Sequence, residues 1–159
     1  MIKNRKQIRL KQYDYSQNGY YYVTICAQNR LCIFGDIING KMIFNHTGKI
    51  VENVWKTLPT HHPVKLDVFQ IMPNHVHFII QIIDMGGSRP APTKLGTVVG
   101  LLKSECTKQI NIVGARRDAP QSTRGSPKIH VWQRNYYEHI IRNEKELFAI
   151  RRYIEENPL

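Results

Sequence analysis

The sequence predicts an α+β fold, a small antiparallel sheet of the ferredoxin-like (RRM-like) kind with helices packed on one face. Three observations predict it. Runs of β-branched and aromatic residues such as GYYYVTICA and HVHFIIQI alternate at period two, later segments repeat apolar residues at spacings of three and four, and turn residues separate the two kinds. The order reduces to β, β, α, β, β, α, β, α, and a sheet with helices laid on it is the economical way to bury those stripes. At 159 residues, 42% of them hydrophobic, the chain has the length of one domain, spanning 1–159, with no internal repeat.

The elements follow in order. Residues 19–27 form a strand, and Leu31 to Phe34 and Lys41 to Phe44 flank Asn39-Gly40, a tight-turn pair. Ile50, Val51, Val54, Trp55 and Leu58 have the period of a helix over 46–58, which Pro59 and Pro63 close. LDVFQIMPNHVHFIIQII reads as two strands broken at Met72-Pro73-Asn74. In the second, Val76, Phe78, Ile80 and Ile82 take one face and His75, His77, Ile79 and Gln81 the other. Residues 84–93 read as an irregular connection, after which Leu95, Val98, Val99, Leu102, Cys106 and Ile110 mark a second helix. Residues 114–128 lack an apolar period and carry Arg116, Arg117, Arg124 and Lys128, as expected of a mobile, positively charged loop. The segment HVWQRNYYEHII is strand-like. A last helix starts near Asn143, with Glu146 placed for a capping box, buries Leu147, Ile150 and Ile154, and ends at Pro158.

Lysine and arginine number 23 against 12 acidic residues, a formal net charge of +11, which points to a phosphate-rich partner. No apolar run approaches the ~20 residues of a membrane span, and the basic N-terminus lacks the apolar core of a secretory signal. A cytoplasmic protein with no membrane partner is expected. Cys26, Cys32 and Cys106 form no CxxC pair and read as buried free thiols.

His75 and His77, at i and i+2 on one strand, project the same way and are able to share one metal ion. Two ligands do not make a site, and an isolated His-x-His is most often a pair of half-exposed strand histidines. The last helix adds Tyr153 and Asn157 at i and i+4 on one face, and the asparagine oxygen is able to complete a two-nitrogen, one-oxygen shell with open positions. Such a shell suits Mg²⁺ or Mn²⁺ on a substrate phosphate better than structural Zn²⁺, which takes four closed protein ligands.

MPNHVHFII, WQRNYYEHIIRNEKEL and RRYIEENP, in that order, resemble the single-tyrosine HUH transposases, in particular the REP-associated tyrosine transposases. IRLKQYDYSQNGYYYVTICAQNR and LGTVVGLLKSECTKQIN are also similar, so the resemblance covers nearly the whole chain. It implies that His75 and His77 are the HUH pair, that Tyr153 is the nucleophile, and that Asn157 takes the third ligand position, often glutamine in relatives. Relatives usually continue beyond the point matching Leu159. The implied activity is metal-dependent nicking and joining of single-stranded DNA at hairpin-bearing repeats through a 5′-phosphotyrosine intermediate. A phenol titrating near ~10 is a weak nucleophile at neutral pH, so its phosphate target must be made more reactive, as a divalent ion does.

Within the matching WQRxYYEHxIRN segment, Glu138 and His139 are candidates to brace the ligands or to touch DNA, or to form a buried structural cluster. Arg9, Lys11, Arg116, Arg117, Arg134 and Arg142 are candidates for phosphate contacts. Among Tyr20 to Tyr22, alternation buries at least one ring, with core packing expected for Tyr21 or its neighbours. A competing reading is a non-catalytic hairpin-binding module derived from such a transposase. An RNA-recognition module is disfavoured because no strand carries that motif's aromatic pattern. Monomer and homodimer, with the site built within or between chains, are both open, and the expected location is the nucleoid.

Overall fold

Alternating burial along Gly19–Cys26 makes β1 a strand with one core face, Tyr21, Val23 and Ile25 being fully enclosed. The computed structural model describes residues 9–83, 93–117 and 128–157, without the side chains of 114–117. A hairpin follows, β2 (Gly35–Ile38) and β3 (Lys41–Phe44), as a separate two-stranded sheet. Its turn is Asn39-Gly40, with φ of 52° and 71°, the positive pair that a tight right-twisted hairpin needs. The first hairpin strand is therefore 35–38 and not 31–34: Gln28–Arg30 make a short 3₁₀ turn, and Asn29 and Arg30 also have positive φ, which breaks pairing before Gly35. Three strands, not two, thus precede the first helix.

Helix α1 (His46–His61) starts at Asn45, whose side chain accepts the Gly48 N–H at 3.0 Å. It runs through Pro59, which the last turn tolerates, and ends where His62 is extended ahead of Pro63. Strands β4 (Val64–Met72) and β5 (His75–Ile82) follow, then α2 (Leu95–Arg117), β6 (Tyr137–Ile141) and α3 (Glu144–Glu156). Helix α2 includes 114–117, which the sequence assigns to the loop; 118–127, like most of 84–93, lies outside the described residues. The strand-like stretch 130–141 shortens to β6 plus one bridge, Ala27 to Trp132.

The main sheet has the order β4-β5-β1-β6, every neighbouring pair antiparallel. Its core face carries Val76, Phe78, Ile80 and Ile82 with the stripes of α1 and α2, as the alternation predicts, and Trp55 stacks on Phe69 at 4.7 Å. The α+β class and sheet stand, but only two of the three helices pack on that face. Helix α3 crosses the other, closing a small second cluster of Ile79, Ile141, Leu147 and Ile154. A bulge in β4 between Leu66 and Phe69 sets Asp67 and Val68 against Ile79, and both serve this side. The Asp67 carboxylate takes three hydrogen bonds from Arg151 of α3, at 2.9, 3.2 and 2.5 Å. Of the cysteines only Cys106 is buried; Cys32, on the turn before the hairpin, is exposed, and Cys26 is half-buried on the α3 side.

Candidate active site

Strand register assembles the site. Thr24 of β1 lies opposite His77 on one side and Tyr137 on the other, and Cys26 opposite His75. Directly paired residues share a face, so Tyr22, Thr24, His75, His77, Tyr137 and His139 look toward α3. The two imidazole rings lie 5.2 Å apart at their centres. The Tyr153 ring comes down from α3 to 5.9 Å from the His77 ring, while its residue stays 57% exposed. Helix and histidines belong to the same chain.

Each histidine has a defined surrounding. Asn74 Oδ1 accepts a hydrogen bond from His75 Nδ1–H at 2.8 Å, which leaves Nε2 with the lone pair. Burial lowers the pKa of His75, and the Arg30 charge lowers it further. His77 is 1% exposed, and burial, then its neighbour His75, pushes it down to about 4. Both rings are therefore neutral at pH 7, the form that ligates metal. His77 Nε2 is buried with no hydrogen-bond partner, as a nitrogen reserved for a ligand would be. Among the described residues no group of three histidine, cysteine or carboxylate side chains is placed to hold a metal.

Asn157 closes the C-terminus of α3, its N–H bonded to Ile154 O at 3.3 Å, one turn beyond Tyr153. His139 shares the histidine face and is hydrogen-bonded to Glu146, whose other oxygen accepts the Arg142 N–H at 2.9 Å. This is a modified capping box: Asn143 accepts the Glu146 N–H at 2.8 Å, but Glu146 reaches back to Arg142 instead of Asn143. His139 thus braces the start of α3. Glu138 does not brace the histidines. It pairs in register with Val23 and looks into the opposite face, because neighbours along a strand alternate.

Arg9, Lys11, Arg134 and Arg142 are exposed, Arg9 donating to Tyr136 Oη at 2.7 Å; the side chains of Arg116 and Arg117 lie outside the described residues. Four residues outside the expected ligand and nucleophile set contribute. Tyr22 and Tyr137, 6.0 Å apart at their centres, line the face beside His77, and strand parity with the histidines was the signal for Tyr22. Asn74, read only as a turn residue, orients His75. Arg30, held by a positive-φ turn, brings a cation whose charge lowers the His75 pKa.

Comparison with known proteins bears on the family and the fold. The sequence profile of a family described as IS200-like transposases matches residues 15–157. An uncharacterised protein of Haemophilus influenzae is 41% identical over 163 residues, covering 99% of this chain and 90% of its own. A second protein of the same organism, assigned as a REP-associated tyrosine transposase, is 25% identical over 150 residues, with 92% and 73% covered. The fold is similar to the structure of a REP-associated tyrosine transposase bound to a REP hairpin, with a TM-score of 0.65 at 16% identity over 94% of this chain and 72% of that one. A crystal structure assigned as a transposase from Deinococcus radiodurans gives 0.53, also at 16% identity, over 92% and 95%.

Proposed function

Because the chain belongs to the IS200-like transposase family, we propose that it is a metal-dependent single-stranded DNA endonuclease and strand transferase, acting at hairpin-bearing repeats through a 5′-phosphotyrosine intermediate. The observation that carries this reading is a tyrosine on α3 set beside a buried histidine whose Nε2 has no partner. A neutral, unpartnered imidazole nitrogen next to a second one fits a divalent ion. His75, His77 and Asn157 would hold Mg²⁺ or Mn²⁺, which when bound polarises the scissile phosphate and offsets developing charge.

The chain's own groups do the rest. Tyr153 Oη attacks the phosphorus, the bond from phosphorus to the 3′ oxygen breaks, and the 3′ oxygen leaves as a hydroxyl, its proton balanced by the one the phenol gives to water at this open position. The new tyrosine–phosphate bond conserves the energy of the old one, so a second 3′-hydroxyl reverses the step and joins strands without ATP. Arg30 is placed to meet the phosphate beside His75. Exposed Arg9, Lys11, Arg134 and Arg142, with Arg116 and Arg117, hold the backbone of the strand, which a chain of net charge +11 attracts. The solved relative is bound to a REP hairpin, which supports hairpin DNA as the partner. No described helix is long and apolar enough to cross a membrane, and DNA chemistry of this kind belongs at the nucleoid.

The test is incubation with a labelled hairpin from the neighbouring genome and Mg²⁺ or Mn²⁺, run on a denaturing gel. A metal-dependent protein–DNA adduct that disappears in Tyr153→Phe is expected. Binding without adduct under either metal would overturn the catalytic reading in favour of a binding module.

A further inference from the structure

A cavity of about 440 Å³ opens on the helix side of edge strand β6, away from the histidines, within the range of small-ligand sites. Arg9, Tyr13, Asp14, Tyr15, Lys94 and Tyr136 are among the residues that line it, the Asp14 carboxylate interacting with the Lys94 charge. Beside it lies Glu138, with its side chain only 3% exposed and both carboxylate oxygens buried without a hydrogen-bond partner. Its nearest cation, Arg9 Nε, stands 4.0 Å away on a side chain that is 57% exposed. A buried carboxylate left this way is expensive to keep, and it calls for donors. The Tyr15 and Tyr136 hydroxyls are close enough that, after burial, the Glu138 carboxylate also raises their pKa values, Tyr136 to about 12. Those oxygens accept from Leu10 N at 3.1 Å and Arg9 Nη2 at 2.7 Å, and although each hydroxyl keeps its own proton to donate, neither reaches hydrogen-bonding geometry with the Glu138 oxygens.

We propose that this cavity takes one unpaired guanine of the DNA strand, with Glu138 accepting from its N1–H and exocyclic amine, the tyrosine rings flanking the base, and Arg9 and Lys94 on the adjoining phosphate. The carboxylate has two acceptors and no donor. Guanine alone among the DNA bases presents two adjacent donors and no acceptor between them; adenine and cytosine set a donor beside an acceptor, and thymine sets one donor between two acceptors. Aromatic walls give a base its stacking surface and cations its phosphate, the combination that binds single strands. The adjacent Tyr136 and Tyr137 face opposite sides of the sheet edge, so a strand leaving the cavity over β6 arrives beside Tyr22 and His77.

The inference rests on the reading of the protein as a single-strand DNA enzyme, but its test needs no cleavage. Fluorescence anisotropy of the labelled pentanucleotides TTGTT, TTATT, TTCTT and TTTTT, and of TTGTT with inosine in place of guanine, is measured on the full chain. At least tenfold tighter binding of TTGTT is expected, with an intermediate affinity for inosine, which keeps N1–H and lacks the amine. Glu138→Gln, whose amide offers one acceptor and one donor, is expected to lose the preference, whereas Tyr153→Phe keeps it. Tyr136→Phe preserves the ring but removes the hydroxyl that anchors Arg9 at the cavity, and is expected to weaken binding of TTGTT while leaving the other four nearly unchanged, which covers the case in which Glu138→Gln does not fold. Equal affinity for the pentanucleotides in the wild type, or a preference untouched in a folded Glu138→Gln, would overturn the proposal. Adduct formation on the hairpin gel together with equal affinities would remove the guanine site and leave the enzyme reading standing.

Discussion

The position of Tyr153 depends on how firmly α3 is docked, and Arg151→Met tests that docking. The substitution keeps the alkyl stem and removes three charge-assisted hydrogen bonds to Asp67, of 2.9, 3.2 and 2.5 Å, along with the approach of the guanidinium to the Tyr20 ring at 5.8 Å. The Arg151 side chain is 37% exposed and that of Asp67 15%, so the pair ranks between surface bridges, worth up to about 1 kcal/mol, and buried ones, whose breakage costs about 3 to 5. An intermediate loss of about 1.5 kcal/mol corresponds to roughly a tenfold larger fraction of molecules with α3 released. Leu147 and Ile154 remain buried under the helix, at about 1.5 to 3 kcal/mol each, so most molecules stay docked. Hydrogen exchange read by mass spectrometry should therefore show α3 amides exchanging about tenfold faster while those of β1 and β5 are unchanged, with adduct formation reduced less than twofold. Unchanged exchange in α3, or an equal acceleration in β1 and β5, would refute the idea that this ion pair secures the helix locally.

Other expectations follow from the same structure. Because His77 is lowered to about 4 from the usual 6.5, the unfolded chain binds more protons than the folded one between those values, so metal-free stability should rise with pH across that window, and His77→Asn should flatten the slope seen in urea melts. By the same shift, metal-dependent adduct formation should persist at pH 5.5, where an ordinary histidine is mostly protonated. Leu58→Ala empties a fully enclosed position between α1 and the sheet and should cost about 3 kcal/mol, lowering Tm by roughly 6 to 12 °C in calorimetry. Affinity for single strands should fall steeply with salt, and Arg134→Ala or Arg142→Ala, both exposed, should each reduce the log–log slope by about 0.7 without altering base preference.

The share of this molecule open to reading from the chain alone divides along the range of the interactions involved. Periodicity of the buried stripe gave α1 and α2 residue by residue, and alternation put His75 and His77 together, because both patterns depend on neighbours within a turn or a few residues. The capping pattern at Asn143 and the turn at Asn39-Gly40 are likewise local and legible. The first strand of the hairpin was misplaced because the positive φ of Asn29 and Arg30, which delays pairing to Gly35, has no signature in residue type for arginine.

Other features depend on partners far along the chain. Tyr153 meets His77 only because α3 folds over the second face of the sheet, drawn there by Ile79, Ile141 and the Asp67 bulge, and an amphipathic stripe does not say which face receives it. Glu138 and His139 are neighbours in sequence, yet the pairing of β6 with β1 sends one to a cavity beside α2 and the other to the start of α3. Composition and motif thus decide the elements, the histidine pair and the charge that attracts nucleic acid. Register and packing decide which side chains share a face, because a shift of one residue in strand pairing exchanges the two faces while leaving every local pattern intact.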